Sequence, residues 1–240
     1  MLAEGELERY DRQLKLFGEK GQRKLKNARV FVAGLGGLGS AVLNYLAVAG
    51  VGTIRIVDHG VVEATNLNRQ ILYSEDDIGR KKVVSAEERL RALNSETEVE
   101  IISRTIDPGN VDELVGDSDL IVDAMDNFPA RYLLNATALR KNIPLFHGAV
   151  HGFYGQATTI VPKRTACLRC IFPQAPSPKA VPVLGATCGV VGCIQATEVI
   201  KHVAGVGGSL ENRLLIWDGL NCTLREIDVE KNPECKDCQG

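Results

Sequence analysis

The chain has 240 residues, of which 45% are hydrophobic and 24% are charged, an ordinary balance for a globular protein with a full core. Its formal net charge of -2 argues against a general nucleic-acid binder, because such proteins carry a basic excess. No apolar run reaches the roughly 18 to 20 residues of a membrane span, and the acidic segment 1–10 lacks the apolar core of a secretory signal. We therefore expect a cytoplasmic protein.

Hydrophobic spacing in the first half of the chain predicts alternating helices and strands. Apolar residues at helical intervals predict one leading amphipathic helix over residues 6–26. Further helices are predicted up to Gly50, over 81–94 and up to Arg140. Short apolar runs predict strands at 29–33, 53–57, 99–104, 120–123 and 144–146. This alternation predicts a mostly parallel sheet with helices on both faces, which is a Rossmann-like α/β fold.

The second half is predicted to extend the same sheet with antiparallel strands. Alternating residue types predict such a strand at 152–162. A helix is predicted over 189–204, followed by late strands at 213–217 and 224–229. Four prolines fall within 172–183 and predict an irregular connection.

These elements predict a single domain over residues 1–240, a length that suits one large α/β unit. A leading helix would occupy 1–28, a nucleotide-binding half 29–148 and a substrate-side half 149–240. The second half carries the cysteines described below.

A glycine motif lies between the first predicted strand and the helix after it. Gly34, Gly36 and Gly39 have the spacing Gly-x-Gly-x-x-Gly. Glycines permit a tight turn and close backbone approach, and the amino end of the helix attracts phosphate. Asp58 ends the next predicted strand, where an acid can bind ribose hydroxyls. The motif predicts a nucleotide site, with a glycine turn that binds nothing as the alternative.

Polar residues beyond this motif favour a nucleoside triphosphate. Arg69 and Lys82 supply cations that can balance phosphate charge, and Asp126 supplies a carboxylate that can hold Mg²⁺. Asn66 lies in the same segment as Arg69, and Asn127 directly follows Asp126. Each residue alone is also compatible with a solvated surface, but the carboxyl ends of parallel strands meet at one edge of a sheet. A nicotinamide-dependent oxidoreductase, the alternative that the glycine motif suggests, has no use for these groups.

Two Cys-x-x-Cys pairs predict a metal site. Cys167 with Cys170, and Cys235 with Cys238, supply four thiolates, the ligand set of a closed tetrahedral zinc site. The pairs lie far apart in sequence, so a structural zinc would tie the carboxyl-terminal tail to the body of the protein. Disulfides or a redox pair are the alternatives, which a cytosolic setting disfavours.

With these motifs the chain resembles the MoeB/ThiF/HesA family, relatives of ubiquitin-activating enzymes. The resemblance implies a homodimer that binds ATP and Mg²⁺ and converts a carboxylate into an acyl adenylate, releasing pyrophosphate. By the same resemblance the substrate is the terminal glycine of a ubiquitin-like sulfur-carrier protein. The matching segments run from Arg9 to Cys238 and comprise 9–13, 34–39, 66–70, 126–127 and both cysteine pairs.

The resemblance also implies roles for individual residues. Arg12 would reach into the other subunit's site and stabilise charge on the leaving pyrophosphate, whereas an ion pair on the helix surface is the alternative. Arg12, Arg69, Lys82 and Asp126 would be the catalytic set. Gly36 and Gly37 would line the nucleotide, and Asp58 would hold its ribose. Asn66, Arg69 and Lys82 would contact its phosphates. Asp126 would bind Mg²⁺, and Asn127 would belong to the same cofactor-binding set.

One expected residue is missing. Family members that form a thioester or acyl disulfide carry a cysteine in the loop after the first cysteine pair, but 174–180 contains none. Cys188 comes later, at a predicted helix start that would lower the pKa of its thiol, or else as a small buried residue. Cys193 and Cys222 are expected to be packing residues. The enzyme is therefore expected to stop at the adenylate and pass it to an outside persulfide or cysteine.

The missing cysteine leaves other hypotheses open. An HcgE-like enzyme would adenylate a small pyridinol carboxylate during cofactor assembly, and a scaffold would have lost its chemistry altogether. A scaffold predicts a damaged phosphate site, whereas every matched residue is present. His147 and His151 flank residues 148–150 and could line the groove for the substrate's tail, but neither is assigned a catalytic role.

Overall fold

The computed structural model describes residues 2–175 and 182–238. Eight strands in these residues form one sheet. The strands are β1 Arg29–Ala33, β2 Thr53–Val57, β3 Glu98–Ile102, β4 Leu120–Asp123, β5 Leu145–His151, β6 Tyr154–Ile160, β7 Arg213–Asp218 and β8 Thr223–Asp228. The α-helices are α1 Glu4–Arg9, α2 Asp11–Asn27, α3 Gly37–Val48, α4 Lys82–Leu93, α5 Val111–Val115, α6 Phe128–Lys141, α7 Leu168–Ile171 and α8 Gly185–Ala204.

The order of the strands confirms the predicted fold class. Across the sheet they run β3-β2-β1-β4-β5-β6-β7-β8. The five strands β3, β2, β1, β4 and β5 run parallel to one another. β6 pairs antiparallel with β5, β7 with β6 and β8 with β7. The chain leaves β1 first toward β2 and later toward β4, so a crevice opens at the carboxyl ends of β1 and β4, where doubly wound folds bind ligands.

Helices cover both faces of the parallel strands. Val30 and Val32 of β1 belong to one buried cluster, with residues of α3, α4 and α8. Phe31 and Ala33 belong to a second cluster on the opposite face, with residues of α5 and α6. This explains why the parallel strands read as continuous apolar runs. Each fully buried large side chain contributes about 1.5–3 kcal/mol to stability.

The leading segment differs from the single helix that its periodicity predicts. It is divided into α1 and α2 at Tyr10, and Gly18 within α2 has φ +64°, outside the helical region. Tyr10 is buried, and its hydroxyl accepts a hydrogen bond from Nδ2 of Asn94 at 2.9 Å. The chain bends there because this aromatic side chain packs into the body of the protein.

Other differences concern boundaries and short elements. β5 continues to His151, beyond the predicted 144–146, and α8 begins at Gly185, four residues before the predicted start. The short helices α5 and α7 were not predicted, because four or five residues establish no periodicity. Residues 176–181 of the predicted irregular connection lie outside the described residues. Within the described ranges, no helix is long and apolar enough to cross a membrane.

Candidate active site

The glycine loop joins β1 to α3 at the crevice. Gly34 has φ +91°, and a β-carbon on it would lie 2.8 Å from the carbonyl oxygen of Ala124. Only glycine therefore lets this loop turn while it contacts the segment that follows β4. Gly36 precedes the first residue of α3, so the unpaired N–H groups of that helix face the crevice. This arrangement suits an anionic group.

Asp58 and Lys82 both lie near Gly60, in the segment that follows β2. Oδ2 of Asp58 accepts a hydrogen bond from the backbone N–H of Leu35 at 2.9 Å, which fixes the carboxylate against the glycine loop. A β-carbon on Gly60 would lie 3.0 Å from Oδ1 of Asp58 and 3.5 Å from Cδ of Lys82. In the described part of the chain Lys82 forms no ion pair, so its charge is available to a ligand.

Arg69 lies against the glycine loop at Gly37. Its Cγ atom is 3.5 Å from the position of a β-carbon on Gly37. Its Nη1 donates to the carbonyl of Thr65 and to Oδ1 of Asn68, both at 2.9 Å. These partners are neutral, and no carboxylate among the described residues pairs with it. Arg69 thus adds a second uncompensated cation, beside a cavity of about 400 Å³ that extends to the start of α8.

Asn66 and Asn127 have local structural contacts. Asn66 is buried, and its Oδ1 accepts from the backbone N–H of Glu63 at 3.2 Å. Oδ1 of Asn127 accepts from the backbone N–H of Ala130 at 2.9 Å and caps the amino end of α6. Both asparagines therefore shape the segments that carry Arg69 and Asp126, and their contacts with a nucleotide stay predictions.

Asp126 follows β4 at the crevice. It is exposed, and its carboxylate accepts one hydrogen bond in the described structure, from Nδ2 of Asn127 at 3.2 Å. The remaining lone pairs of this carboxylate are free for a hard cation, so the residue fits a magnesium ligand that shares its ion with phosphate oxygens.

A buried polar pair beneath Asp126 was not assigned from the sequence. Asp123 and His147 are both fully buried, and Oδ2 of Asp123 lies 2.7 Å from Nδ1 of His147. Burial lowers the pKa of His147, and the neighbouring carboxylate opposes this only in part. One sequence feature could have revealed this pair: Asp123 ends an apolar strand. An acid in that position is expected to be buried, and a buried carboxylate requires a polar partner.

Arg12 lies apart from these residues. It is exposed on α2, and no hydrogen bond or ion pair within the described ranges joins it to the crevice or to any carboxylate. The surface ion pair weighed as an alternative is therefore not seen. Its role in the site of a second subunit stays a prediction.

The two cysteine pairs come together, as their spacing predicts. The four sulfur atoms lie within 4.8 Å of one another, with 3.6 Å between Cys167 and Cys235 and 3.4 Å between Cys170 and Cys238. A tetrahedral site with metal–sulfur bonds of about 2.3 Å separates its sulfurs by roughly 3.8 Å. The cluster fits zinc, and none of the four cysteines is in a disulfide.

Asn135 of α6 holds both halves of this cluster. Its Oδ1 accepts from the backbone N–H of Leu168 at 2.9 Å, and its Nδ2 donates to Asp237 at 3.1 Å. The guanidinium of Arg169 also stacks 3.7 Å from the ring centre of Tyr132. Polar residues that bond next to metal ligands help to orient those ligands. Asn135 thus connects the segments of both cysteine pairs to α6.

Cys188 lies in the first turn of α8 and is 2% exposed. Burial raises the pKa of its thiol, and nearby Arg69 lowers it only in part. Of the two interpretations of Cys188, the buried residue is the one that the structure supports. Cys193 is half-buried, whereas Cys222 is exposed at a turn with φ +52°, so the prediction that Cys222 is a packing residue was wrong.

Comparison with known proteins matches residues 10–237 to a family described as the ThiF family. The chain is 45% identical to the SAMP-activating enzyme E1 of Haloferax volcanii, covering 97% of this chain and 89% of that protein. It is 42% identical to the sulfur carrier protein adenylyltransferase of Thermus thermophilus, covering 97% and 91%. It is also 42% identical to the adenylyltransferase and sulfurtransferase MOCS3 of Drosophila sechellia, of which it spans 55%.

Solved structures show the same fold. The crystal structure of E. coli MccB with ATP superposes with a TM-score of 0.87 at 26% sequence identity, covering 96% of this chain and 73% of that one. The range matched by the family includes the glycine loop, Asp126 and Cys235.

Proposed function

The chain belongs to the ThiF family, and we propose that it is an adenylyltransferase that uses ATP to activate a carboxylate. The observation that carries the proposal is that Arg69 lies against Gly37 of the glycine loop while Lys82 lies near Gly60 beside Asp58, and that neither cation has an ion pair among the described residues. Asp58 lies in the same crevice, with its carboxylate fixed against that loop. A dehydrogenase would have no use for both cations, whereas a triphosphate requires them.

The reaction forms a mixed anhydride. A carboxylate oxygen of the substrate attacks the α-phosphorus of ATP, the bond from that phosphorus to the bridging oxygen breaks, and pyrophosphate leaves. Negative charge spreads over the phosphoryl oxygens and the leaving group, so fixed positive charge and positioning supply most of the catalysis. Arg69 and Lys82 provide that charge without rearrangement, and Asp58 holds the ribose. Asp126 would hold Mg²⁺, which neutralises phosphate charge when bound.

The substrate proposed is the terminal glycine carboxylate of a ubiquitin-like sulfur-carrier protein. Two relatives that match this chain over most of their length are named for activating SAMP and for adenylylating a sulfur carrier protein. The glycine loop, Arg69 and Lys82 support the same step here.

The acyl adenylate is then passed to a nucleophile outside this chain, such as a persulfide or the cysteine of a partner protein. The segment 171–187 contains no cysteine, and Cys188 is buried against the glycine loop. The proposal includes a homodimer, in which Arg12 completes the site of the second subunit, a structural zinc held by the four clustered cysteines, and a cytoplasmic setting.

Adenylation is tested by ATP–pyrophosphate exchange with a panel of acceptors. Small proteins that end in Gly-Gly are compared with the same proteins lacking the last glycine, and with small acids including a pyridinol carboxylate. Exchange that depends on the intact Gly-Gly terminus supports the proposal. Exchange with a small acid alone would assign the enzyme to cofactor assembly, and no exchange with any acceptor would favour a scaffold.

A further inference from the structure

A buried polar cluster underlies the turn between β4 and α6. Asp123 and His147 occupy paired positions on neighbouring parallel strands, and both are fully buried. Arg131 of α6, also buried, brings its Nε to 3.9 Å from Oδ2 of Asp123. A cluster of this kind is unusual in a core because charged groups are rarely buried without a specific partner.

The hydrogen bonds of His147 fix its ring in one orientation. Oδ2 of Asp123 can only accept, so the ring proton is on Nδ1, 2.7 Å away. Nε2 is then an acceptor, and Nε2 of Gln156 on β6 donates to it at 3.2 Å. The imidazole thus links the end of β4 to β6 and holds the Asp123 carboxylate in place.

Asp123 and Arg131 in turn hold both sides of Met125. The second carboxylate oxygen of Asp123 accepts from the backbone N–H of Met125 at 3.1 Å. Arg131 donates to the carbonyl of Met125 twice, from Nη2 at 2.7 Å and from Nε at 3.2 Å. This carbonyl group is bonded to the backbone nitrogen of Asp126. The cluster therefore fixes the backbone position from which the Asp126 side chain extends.

The same turn contacts the glycine loop. A β-carbon on Gly34 would lie 2.8 Å from the carbonyl oxygen of Ala124 and 3.3 Å from Sδ of Met125. The position of Asp126 relative to the glycine loop therefore depends on a turn that buried side chains fix from below. Among the described residues, the exposed side chain of Asp126 has one hydrogen bond, to neighbouring Asn127, so it depends on this turn for its position.

We propose that His147 is a positioning residue, which through Asp123 and Met125 holds Asp126 where its carboxylate can share Mg²⁺ with bound ATP. The inference rests on the proposed function, because it concerns the residue assigned there to Mg²⁺. His147 itself is fully buried, so its proposed role is indirect.

The test compares ATP affinity with and without the metal. The dissociation constant of a non-hydrolysable ATP analogue is measured by calorimetry in excess Mg²⁺ and again in EDTA. The constant in EDTA divided by the constant in Mg²⁺ is the factor by which Mg²⁺ tightens binding, called the gain below. Loss of a residue that orients a metal ligand costs about 10- to 100-fold in metal affinity. We expect His147→Leu to lower the gain about tenfold, with affinity in EDTA nearly unchanged.

Two further variants separate positioning from packing. His147→Asn keeps a donor near the position of Nδ1 and should recover most of the gain. His202→Leu alters another partly buried histidine, one that packs on Phe146, and should lower Tm without changing the gain. If His147→Leu does not fold, Gln156→Leu removes only the second partner of the ring and should lower the gain in the same direction by a smaller factor.

The outcomes distinguish the positioning role of His147 from the proposed magnesium site at Asp126. A wild-type gain that persists in His147→Leu, or in Gln156→Leu where His147→Leu does not fold, would overturn the positioning role alone. Equal losses with and without Mg²⁺, a similar loss in His202→Leu, or no recovery in His147→Asn would assign the effect to packing and overturn it too. Absence of any gain in the wild type would remove the proposed magnesium site, and this inference with it.

Discussion

The sulfur of Cys188 lies 2.6 Å from the position that a β-carbon on Gly37 would occupy. The thiol is therefore packed against the backbone of the glycine loop. A carrier protein's terminal carboxyl would have to displace this contact to reach the sulfur. The geometry makes Cys188 a packing residue of the glycine loop. We therefore expect it not to accept the activated acyl group.

Thiol labelling of the native protein tests the burial of Cys188. Cys222 is exposed and serves as an internal comparison in the same molecule. We expect iodoacetamide to modify Cys222 rapidly and to leave Cys188 unmodified, because a buried thiol with a raised pKa supplies little accessible thiolate. Peptide mass analysis gives both rates. Equal rates, or a thioester between Cys188 and a carrier protein after incubation with ATP, would contradict this assignment.

The two uncompensated cations should contribute to ATP affinity. Hydrogen bonds to a charged group contribute about 1.5–3 kcal/mol each, so Arg69→Ala and Lys82→Ala should each weaken ATP binding by roughly 10- to 150-fold. Lys81→Ala changes the exposed neighbour of Lys82 and should bind ATP normally. Calorimetric titration measures all three. Wild-type affinity in both site variants would mean that the triphosphate binds elsewhere.

The cysteine cluster should hold one zinc per chain and stabilise the protein. Losing a structural metal costs about 4 kcal/mol or more, and 1 kcal/mol lowers Tm by about 2–4 °C at this size, so Cys235→Ser should lower Tm by roughly 8–16 °C. Cys222→Ser replaces an exposed cysteine and should change neither Tm nor zinc content. Elemental analysis with thermal unfolding measures both. A wild-type protein purified without zinc, or unaffected by Cys235→Ser, would rule out a structural metal.

Arg12 is expected to act in trans. Arg12→Ala and Asp126→Ala homodimers should each be inactive in pyrophosphate exchange. Statistical mixing of the two should restore about a quarter of the sites, because half of the dimers are then mixed and each contains one intact site. The control mixes Arg12→Ala with the doubly substituted protein, which offers no intact site. If the first mixture stays as inactive as the control, Arg12 does not act across a dimer.

The features predicted from sequence are those set by local patterns. The glycine loop between β1 and α3 follows from an apolar strand, three spaced glycines and a run of small residues. The cysteine cluster follows from two Cys-x-x-Cys pairs, whose chemistry requires them to meet. The family, the fold class and the adenylyltransferase function predicted from these motifs are confirmed.

The remaining features depend on long-range contacts. Asp123 and His147 are 24 residues apart and meet only because β4 pairs with β5 in one register. No spacing rule identifies such a pair before the strand order is known. The break at Tyr10 likewise depends on its hydrogen bond with Asn94, which is 84 residues away. Periodicity reports the apolar face of a helix and carries no information on where a tertiary contact interrupts it.

Exchange of labelled pyrophosphate into ATP, measured with a small protein ending in Gly-Gly, tests the central claim most directly. We expect exchange that requires Mg²⁺ and the free terminal glycine, that is abolished in Asp126→Ala, and that is retained in Cys188→Ala. Exchange that ignores the terminal glycine, or that survives in Asp126→Ala, would contradict a magnesium-dependent adenylation of that carboxylate at this crevice.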